Sequence, residues 1–544
     1  MNQHRVSIWY GVCLFLACAF LALMFLQHSA LRGRLQYEVG YEDVITFIDG
    51  LKRYKALVDQ PQTHLQFFYQ YAVDPPHAPL HSLQAGLAFA IFGINDQAPY
   101  LSNVVLLFAL LFAFAYAARG FRPWAVGVGL LYLAFSPLVY HTVTEFRPDY
   151  PSAIFTIWGV LLYLEFLRRG SWKYAAFSGV CYGLAMLAKP PVFLYVMAIG
   201  GAPFLLGLVQ GWRARQITGV LSAIRDSWPF FIACALIAGP HFAIAGSNIY
   251  NYIILNQTGS HAHIWAFKNG LYERLLYPIN GYSGWLTFGS MWRTALLLGF
   301  GSFILGLWLS YHKKEKHNWF LIVTILIIYS YSFLVINPHM NPYFGLTFQI
   351  LLLFSGASLL SFLVNLKLRP VGSLIVRLLV GLLLFSVVLQ AFPLPIRNPE
   401  ITNGPSEFRK FTQTVNHDVL SIIVDSRGPV VGRYVLVSTY GVLTSHTLQW
   451  MSDKEELGYT FDAVPYEGLS FAKNLLTRNV GNESAAFAIV SEEGVFGIKE
   501  ELPNALFSGD ILEYLMKSNQ YSVIGKVEDP NGLAYVIFQR LSLD

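Results

Sequence analysis

Long apolar stretches alternate with short polar links from Ser7 to about Ala391, and this alternation dominates the chain. A membrane-crossing helix needs about 20 mostly apolar residues, because its backbone polar groups must be paired within the segment. Such stretches lie at roughly 7–27, 99–118, 124–140, 151–167, 174–188, 190–209, 229–246, 285–309, 319–336, 342–363 and 371–391. The pattern predicts an α-helical polytopic membrane protein with about 11 transmembrane helices. The first stretch exceeds a signal-peptide core in length and ends in no convincing small-x-small cleavage site. It reads as a retained signal-anchor helix.

One further apolar segment, Leu80 to Phe92, is too short to span and reads as a juxtamembrane helix of the first outer loop. The sidedness of everything after it depends on that choice, and loop charge decides it. With the segment on the outer surface and Arg5 in the cytoplasm, Arg119/Arg122, Arg168/Arg169/Lys173, Arg213/Arg215/Arg225, Lys313/Lys314/Lys316 and Lys367/Arg369 all fall in cytoplasmic loops. A spanning segment would turn every one of them outward. The expected topology therefore has a cytoplasmic N-terminus. The 28–98 loop, the 141–150 link, the 247–284 loop and the C-terminal region lie outside.

Beyond Ala391 the texture becomes that of a globular domain. Pro393, Pro395, Pro399 and Pro405 mark a linker. β-type runs follow at Arg433–Thr439, Ala485–Val490, Tyr521–Val527 and Ala534–Gln539, the last two flanking the turn signal Asp529-Pro-Asn-Gly532. Helical patterns at Phe408–Val415 and Leu512–Lys517 accompany them, which suggests a small α/β or α+β domain. The expected division is a transmembrane domain at 1–392, a linker at 393–406 and an extracytoplasmic α/β domain at 407–544.

Composition agrees. Of 544 residues 55% are hydrophobic and 13% charged, with a mean hydropathy of +0.46; soluble domains carry about 25% charged residues. The net charge of +5 is distributed over short loops with no basic stripe, which excludes a nucleic-acid-binding protein. Cys13, Cys18, Cys181 and Cys234 all fall inside expected spans and form no CxxC pattern, so they leave the redox compartment unread.

Ionisable residues on the outer face are the candidates for chemistry. Tyr41-Glu42-Asp43 and Asp49 stand in a helical stretch of the first loop, where adjacent carboxylates suit general-base work or gripping a cation. Asp74-Pro-Pro-His77-Ala-Pro-Leu80 leads into the short apolar helix. Glu145-Phe-Arg147-Pro-Asp149-Tyr150 joins two spans, and Lys189 sits between two others. Each has an ordinary explanation too: a solvated helix face, a helix start, an interfacial Arg147–Asp149 pair, a snorkelling lysine. The aromatic 247–284 loop, with Tyr250, Tyr252, Trp265, Tyr272 and Trp285 at its end, suits a lid over a sugar or an interfacial belt equally well. His261 and His263 lack evident further metal ligands.

In this order the pieces resemble the GT-C class of membrane glycosyltransferases, which includes the protein mannosyltransferases and the aminoarabinose and rhizobial lipopolysaccharide transferases. Glu42-Asp43 stand where that class has an acidic pair, and His77-Ala-Pro79-Leu80 through Phe92-Gly93 where it has an H-P-P-L helix ending in F-G. Arg147-Pro-Asp149 matches the second acidic motif and Ala188-Lys189 the later step. The likeness covers roughly residues 7–210 by motif and the later spans by layout. It departs in the Glu-Asp order, in Ala78, and in His339-Met-Asn341-Pro-Tyr343 where the class often has an arginine and a tyrosine.

The resemblance implies an inverting transferase that moves a sugar from a polyprenyl-phosphate donor to a glycan, lipid or protein acceptor. Asp43 or Glu42 would be the base, and Asp149 a further catalytic group orienting the acceptor or a metal. Arg147, Lys189, His77, Arg274, Lys268, His339 and Tyr343 are the implied substrate-binding residues. Related enzymes differ in metal use, so a divalent cation stays open as the candidate cofactor. The expected setting is a bacterial inner membrane. The rival readings are a transporter or flippase, and a non-catalytic assembly subunit. Against a transporter, no internal repeat or pair of matching broken spans is visible.

Overall fold

The structure is a computed structural model, and it describes residues 8–31, 41–59, 79–257, 270–280, 292–313, 319–336, 345–366, 370–391, 406–426, 434–439, 443–463, 476, 485–492, 508–528 and 533–541. The protein is mostly helical, with a small C-terminal sheet. The apolar stretches of the sequence are largely helical over their described parts. The helices are α1 (Ile8–Leu31), α2 (Tyr41–Asp59), α3 (Pro79–Phe92), α4 (Ala98–Ala117), α5 (Pro123–Ala134), α6 (Pro137–Thr144), α7 (Asp149–Arg169) and α8 (Trp172–Ala188). After a 3-10 turn at Pro190–Val192 come α9 (Phe193–Asp226), α10 (Trp228–Gln257), α11 (Leu271–Asn280), α12 (Trp292–Lys313), α13 (Trp319–Ile336), α14 (Leu346–Asn365) and α15 (Pro370–Ala391).

By length and composition, five stretches among the described residues can cross a membrane: Tyr10–Ala30, Ala98–Ala117, Asp149–Arg169, Pro190–Ile254 and Leu346–Asn365. The pair α5–α6 makes a sixth if counted as one span. The stretch expected as a single helix at 124–140 is thus broken, with a bend of 64° between α5 and α6. Pro137 explains it, since it starts α6 and cannot donate to the preceding turn. Shorter apolar helices occupy Thr294–Leu309, Ile322–Ile336 and Val371–Ser386. The second half of α9 is also set off, by non-helical backbone at Arg215 and Gln216, the latter at φ 50°.

The contacts group the chain into two compact units: residues 1–26, 53–87 and 99–401 in the first, and 27–52, 88–98 and 402–544 in the second. In the first unit α14 is almost entirely buried, whereas α1 is buried over only a small part of its surface. An all-round apolar helix such as α14 has its partners on every side. The helices α1 and α15 instead turn Leu16, Phe20, Leu382 and Phe385 outward, as lipid permits. Close approach of α8 to α10 rests on glycines. A Cβ on Gly179 would lie 2.1 Å from the Phe230 carbonyl oxygen, and one on Gly183 would lie 2.6 Å from the Ile237 Cβ.

In the second unit, α16 (Ser406–Asp425), β1 (Tyr434–Ser438), α17 (Ser445–Lys454), β2 (Thr460–Ala463), β3 (Ala485–Ser491), α18 (Ser508–Lys517), β4 (Tyr521–Glu528) and β5 (Ala534–Arg540) form an α/β domain. The sheet order is β2-β1-β3-β5-β4, with β2, β1 and β3 parallel and β5 antiparallel to both β3 and β4. Alternation along the strands supplies two cores. Val435, Val437, Phe487, Ile489 and Ile537 pack with Val419 and Ile423 of α16 and with Leu448 and Met451 of α17. Leu436, Ala488, Val490, Val536 and Phe538 pack with Ile511 and Leu515 of α18 on the other face.

Candidate active site

A buried ion pair of the first unit links the start of α7 to the end of α8. Lys189 Nζ donates to Asp149 Oδ1 at 2.5 Å, with the two side chains 15% and 3% exposed. Local sequence places both charges. Pro148 precedes α7, so Asp149 opens the helix at its positive end. Pro190 and Pro191 stop α8, so Lys189 lies at that helix's negative end. Lys189 is therefore not a snorkelling side chain, and the carboxylate it meets is Asp149.

A second network surrounds Glu145. Its carboxylate accepts a hydrogen bond from His141 Nδ1 at 3.0 Å and another from the Tyr150 hydroxyl at 2.8 Å. Arg147 Nε lies 3.9 Å from it. Asn103 of α4 donates to the carbonyls of Val143 (3.2 Å) and Glu145 (2.8 Å), pairing acceptors that the end of α6 would otherwise bury unpaired. Gln84 of α3 donates to Ser102 Oγ and to Asn103 Oδ1, and its own carbonyl accepts from His81 Nδ1 at 3.2 Å. The His81 ring stacks on Phe146, centroids 3.9 Å apart. Burial pushes the His81 imidazole down to about 4, against the opposing pull of its hydrogen bonds and of Asp149. Arg53 of α2, itself buried, joins through a 2.7 Å hydrogen bond to Ser82 Oγ.

Several buried polar atoms in these networks are left without a hydrogen-bond partner: His81 Nε2, His141 Nε2 and Asp149 Oδ2. Unpaired buried groups of this kind cost free energy and are concentrated at functional sites. At its other end α7 carries Glu165, which is ringed by Arg119, Arg168 and Arg169. About 24 Å of helix separates Asp149 from Glu165, close to the depth of a bilayer's hydrocarbon core.

Of the residues singled out from sequence, Arg147, Asp149 and Lys189 share this corner of the first unit. Glu42 and Asp43 occupy the first turn of α2, where Asp43 is half-buried. Arg274 stands in the first turn of α11, its buried Nε without a hydrogen-bond partner. His77, Lys268, His339 and Tyr343 lie outside the described residues, as do His261 and His263. Among the described residues no three of His, Cys, Asp and Glu gather as a metal-binding set. The sequence reading passed over Arg53, His81, Gln84, Asn103 and His141, and took Glu145 only as part of a motif. Their signal was polar side chains inside apolar helices, which are costly there unless paired.

Residues 76–225, which hold both networks apart from Arg53, match the family model described as dolichyl-phosphate-mannose-protein mannosyltransferase. The whole chain is similar in structure to ArnT from Cupriavidus metallidurans bound to undecaprenyl phosphate. That likeness has a TM-score of 0.59 at 15% identity and covers 98% of each chain. The fold is that of the GT-C class of membrane glycosyltransferases. An oligosaccharyltransferase from Archaeoglobus fulgidus tethered with an acceptor peptide shares this class's fold with a TM-score of 0.53 at 10% identity, over 97% of this chain and 74% of that one. The arabinofuranosyltransferase AftD from mycobacteria does so with a TM-score of 0.53 at 13% identity, over 97% of this chain and 40% of its own. No curated protein matches the sequence.

Proposed function

We propose that the protein is an inverting glycosyltransferase that takes a sugar from a polyprenyl-phosphate donor at the extracytoplasmic face of the membrane. The observation that carries this reading is the buried Lys189–Asp149 pair beside the Glu145 network, set within the stretch that matches the mannosyltransferase family. Two of the structural relatives were solved with undecaprenyl phosphate or dolichol-phosphate bound.

In the proposed reaction Asp43, or Glu42, takes the proton of the acceptor hydroxyl or amine as that atom attacks the anomeric carbon. The bond from the anomeric carbon to the phosphate oxygen breaks, and its electron pair leaves with the lipid phosphate. A positioned base is worth roughly 10²–10⁴-fold in rate. The departing phosphate gains negative charge, which Lys189, Arg147 or Arg274 stabilises. Asp149 holds Lys189 ready at its helix end. No step is assigned to a metal.

The test is release of polyprenyl phosphate by membranes containing Asp43→Asn, Glu42→Gln or the native chain. One of the two substitutions is expected to abolish release while the protein remains folded in the membrane. Full activity in both would remove the acidic pair from the mechanism. A chain in a bacterial inner membrane with its C-terminal domain outside fits this chemistry, since the lipid carrier's phosphate then meets the acceptor at the outer interface.

A further inference from the structure

Trp450 is among the largest fully buried side chains of the protein, yet it is not part of the sheet domain's two cores. On α17, Leu448 and Met451 face the sheet, while the Trp450 indole goes to two other segments of the second unit. Its ring stacks on Phe89 with centroids 5.6 Å apart and meets Phe47 edge-on at 5.5 Å. Phe47 and Phe89 close the triangle at 6.1 Å. The indole N–H donates to Asp96 Oδ1 at 2.7 Å, and Lys454, one turn further along α17, reaches Asp96 Oδ2 at 3.3 Å.

Phe47 lies four residues after Asp43 on α2, so the two stand one above the other on the same helix face. Val44, Ile48 and Leu51 are buried beside it. The Arg53–Ser82 hydrogen bond ties down only the second half of the helix. We propose that Trp450 is a positioning residue: it clamps the first half of α2 and so sets where the acidic pair Glu42-Asp43 is presented. This rests on the reading that one of that pair is the catalytic base. It gives the C-terminal domain a part in catalysis although none of its residues touches substrate in the proposal. The arrangement suits the task. Rings anchor without adding a charge beside the carboxylates, and the Asp96 acceptor fixes the rotation of the indole.

The test uses the full chain in detergent or nanodiscs and follows amide hydrogen exchange over residues 41–52. Trp450→Ala is expected to speed exchange there by roughly tenfold, the worth of one or two aromatic pairs, while β1 and β3 amides stay as in the native chain. Trp450→Phe, which keeps an aromatic ring toward Phe47 and Phe89 but loses the donor that Asp96 holds, should restore only part of the protection. With a donor that the native chain turns over, Trp450→Ala should lower kcat about tenfold or more and leave the donor KM unchanged. Unchanged exchange over 41–52 would overturn the proposal, as would faster exchange with native kcat. Should Trp450→Ala also expose β1 and β3, Asp96→Ala decides the matter, because it frees the indole without hollowing the interior. Faster exchange over 41–52 in that variant supports the clamp, and native exchange removes it. The base assignment is judged separately: if Asp43→Asn and Glu42→Gln both keep full activity, the base reading fails while the exchange result still reports the clamp.

Discussion

Lys189 and Asp149 show how a charge is kept inside the protein: each neutralises the other, and each sits at the helix end that favours its sign. Removing one partner leaves the other buried and uncompensated. Lys189→Met should therefore destabilise the protein by about 3–5 kcal/mol, read as a lower Tm in detergent. Adding Asp149→Leu should recover most of that loss without restoring affinity for undecaprenyl phosphate. Equal phosphate affinity in the double variant and the native chain would make the pair purely structural. His81 supports a pH prediction. Its folded form holds the imidazole neutral down to about 4, whereas an unfolded chain protonates it near 6.5. The unfolded state thus binds the extra proton between those values, and stability is lost as pH falls from about 6.5 to about 4. The loss is on the order of 3 kcal/mol. His81→Asn should flatten the fall of Tm between pH 7 and 4.5; an unaltered slope would assign it to other groups.

Among the elements, α8 and α10 approach each other over side chains that are missing. Gly179 leaves room for the Phe230 carbonyl, so Gly179→Ala must push backbone apart. Overpacking of this sort costs about 1–3 kcal/mol, and a contact against backbone belongs at the upper end. The expected readout is a reduced Tm and a reduced yield of folded protein in detergent. Gly201→Ala on α9 is the control, since a Cβ there meets nothing within 4 Å. It should be neutral or stabilising by up to about 1 kcal/mol. Equal Tm values for the two variants would refute the close crossing of α8 and α10. The break between α5 and α6 belongs to the same scale. Apolar length alone made residues 124–140 a single helix, and Pro137 was the local sign that it is two.

For the molecule as a whole, topology is the property on which the proposed chemistry stands. Cysteines placed at exposed Gln97, Tyr272, Lys173 and Tyr311, in a background lacking the four native cysteines, read it with an impermeant thiol reagent. Gln97 and Tyr272 should react in intact cells, and Lys173 and Tyr311 only after permeabilisation. The reverse pattern would mean that α3 spans the membrane. Asp149 would then lie on the side opposite Glu42-Asp43, and the transferase mechanism would fall with it. Asp149 itself is too buried to serve as a labelling position.

The apolar pattern by itself determined most of the helices and the change to an α/β domain beyond Ala391, and it left Arg147, Asp149 and Lys189 at the ends of expected spans. Segment length, proline and charge act locally or through the bilayer, and their physics is written in neighbouring residues. Only the tertiary structure decided the partners. Lys189 meets an aspartate 40 positions earlier, and Trp450 meets Asp96 across 354 positions. Such choices depend on which helix ends and which faces packing brings together. Many pairings satisfy one lysine or one indole equally well in sequence, and only the packed chain selects among them.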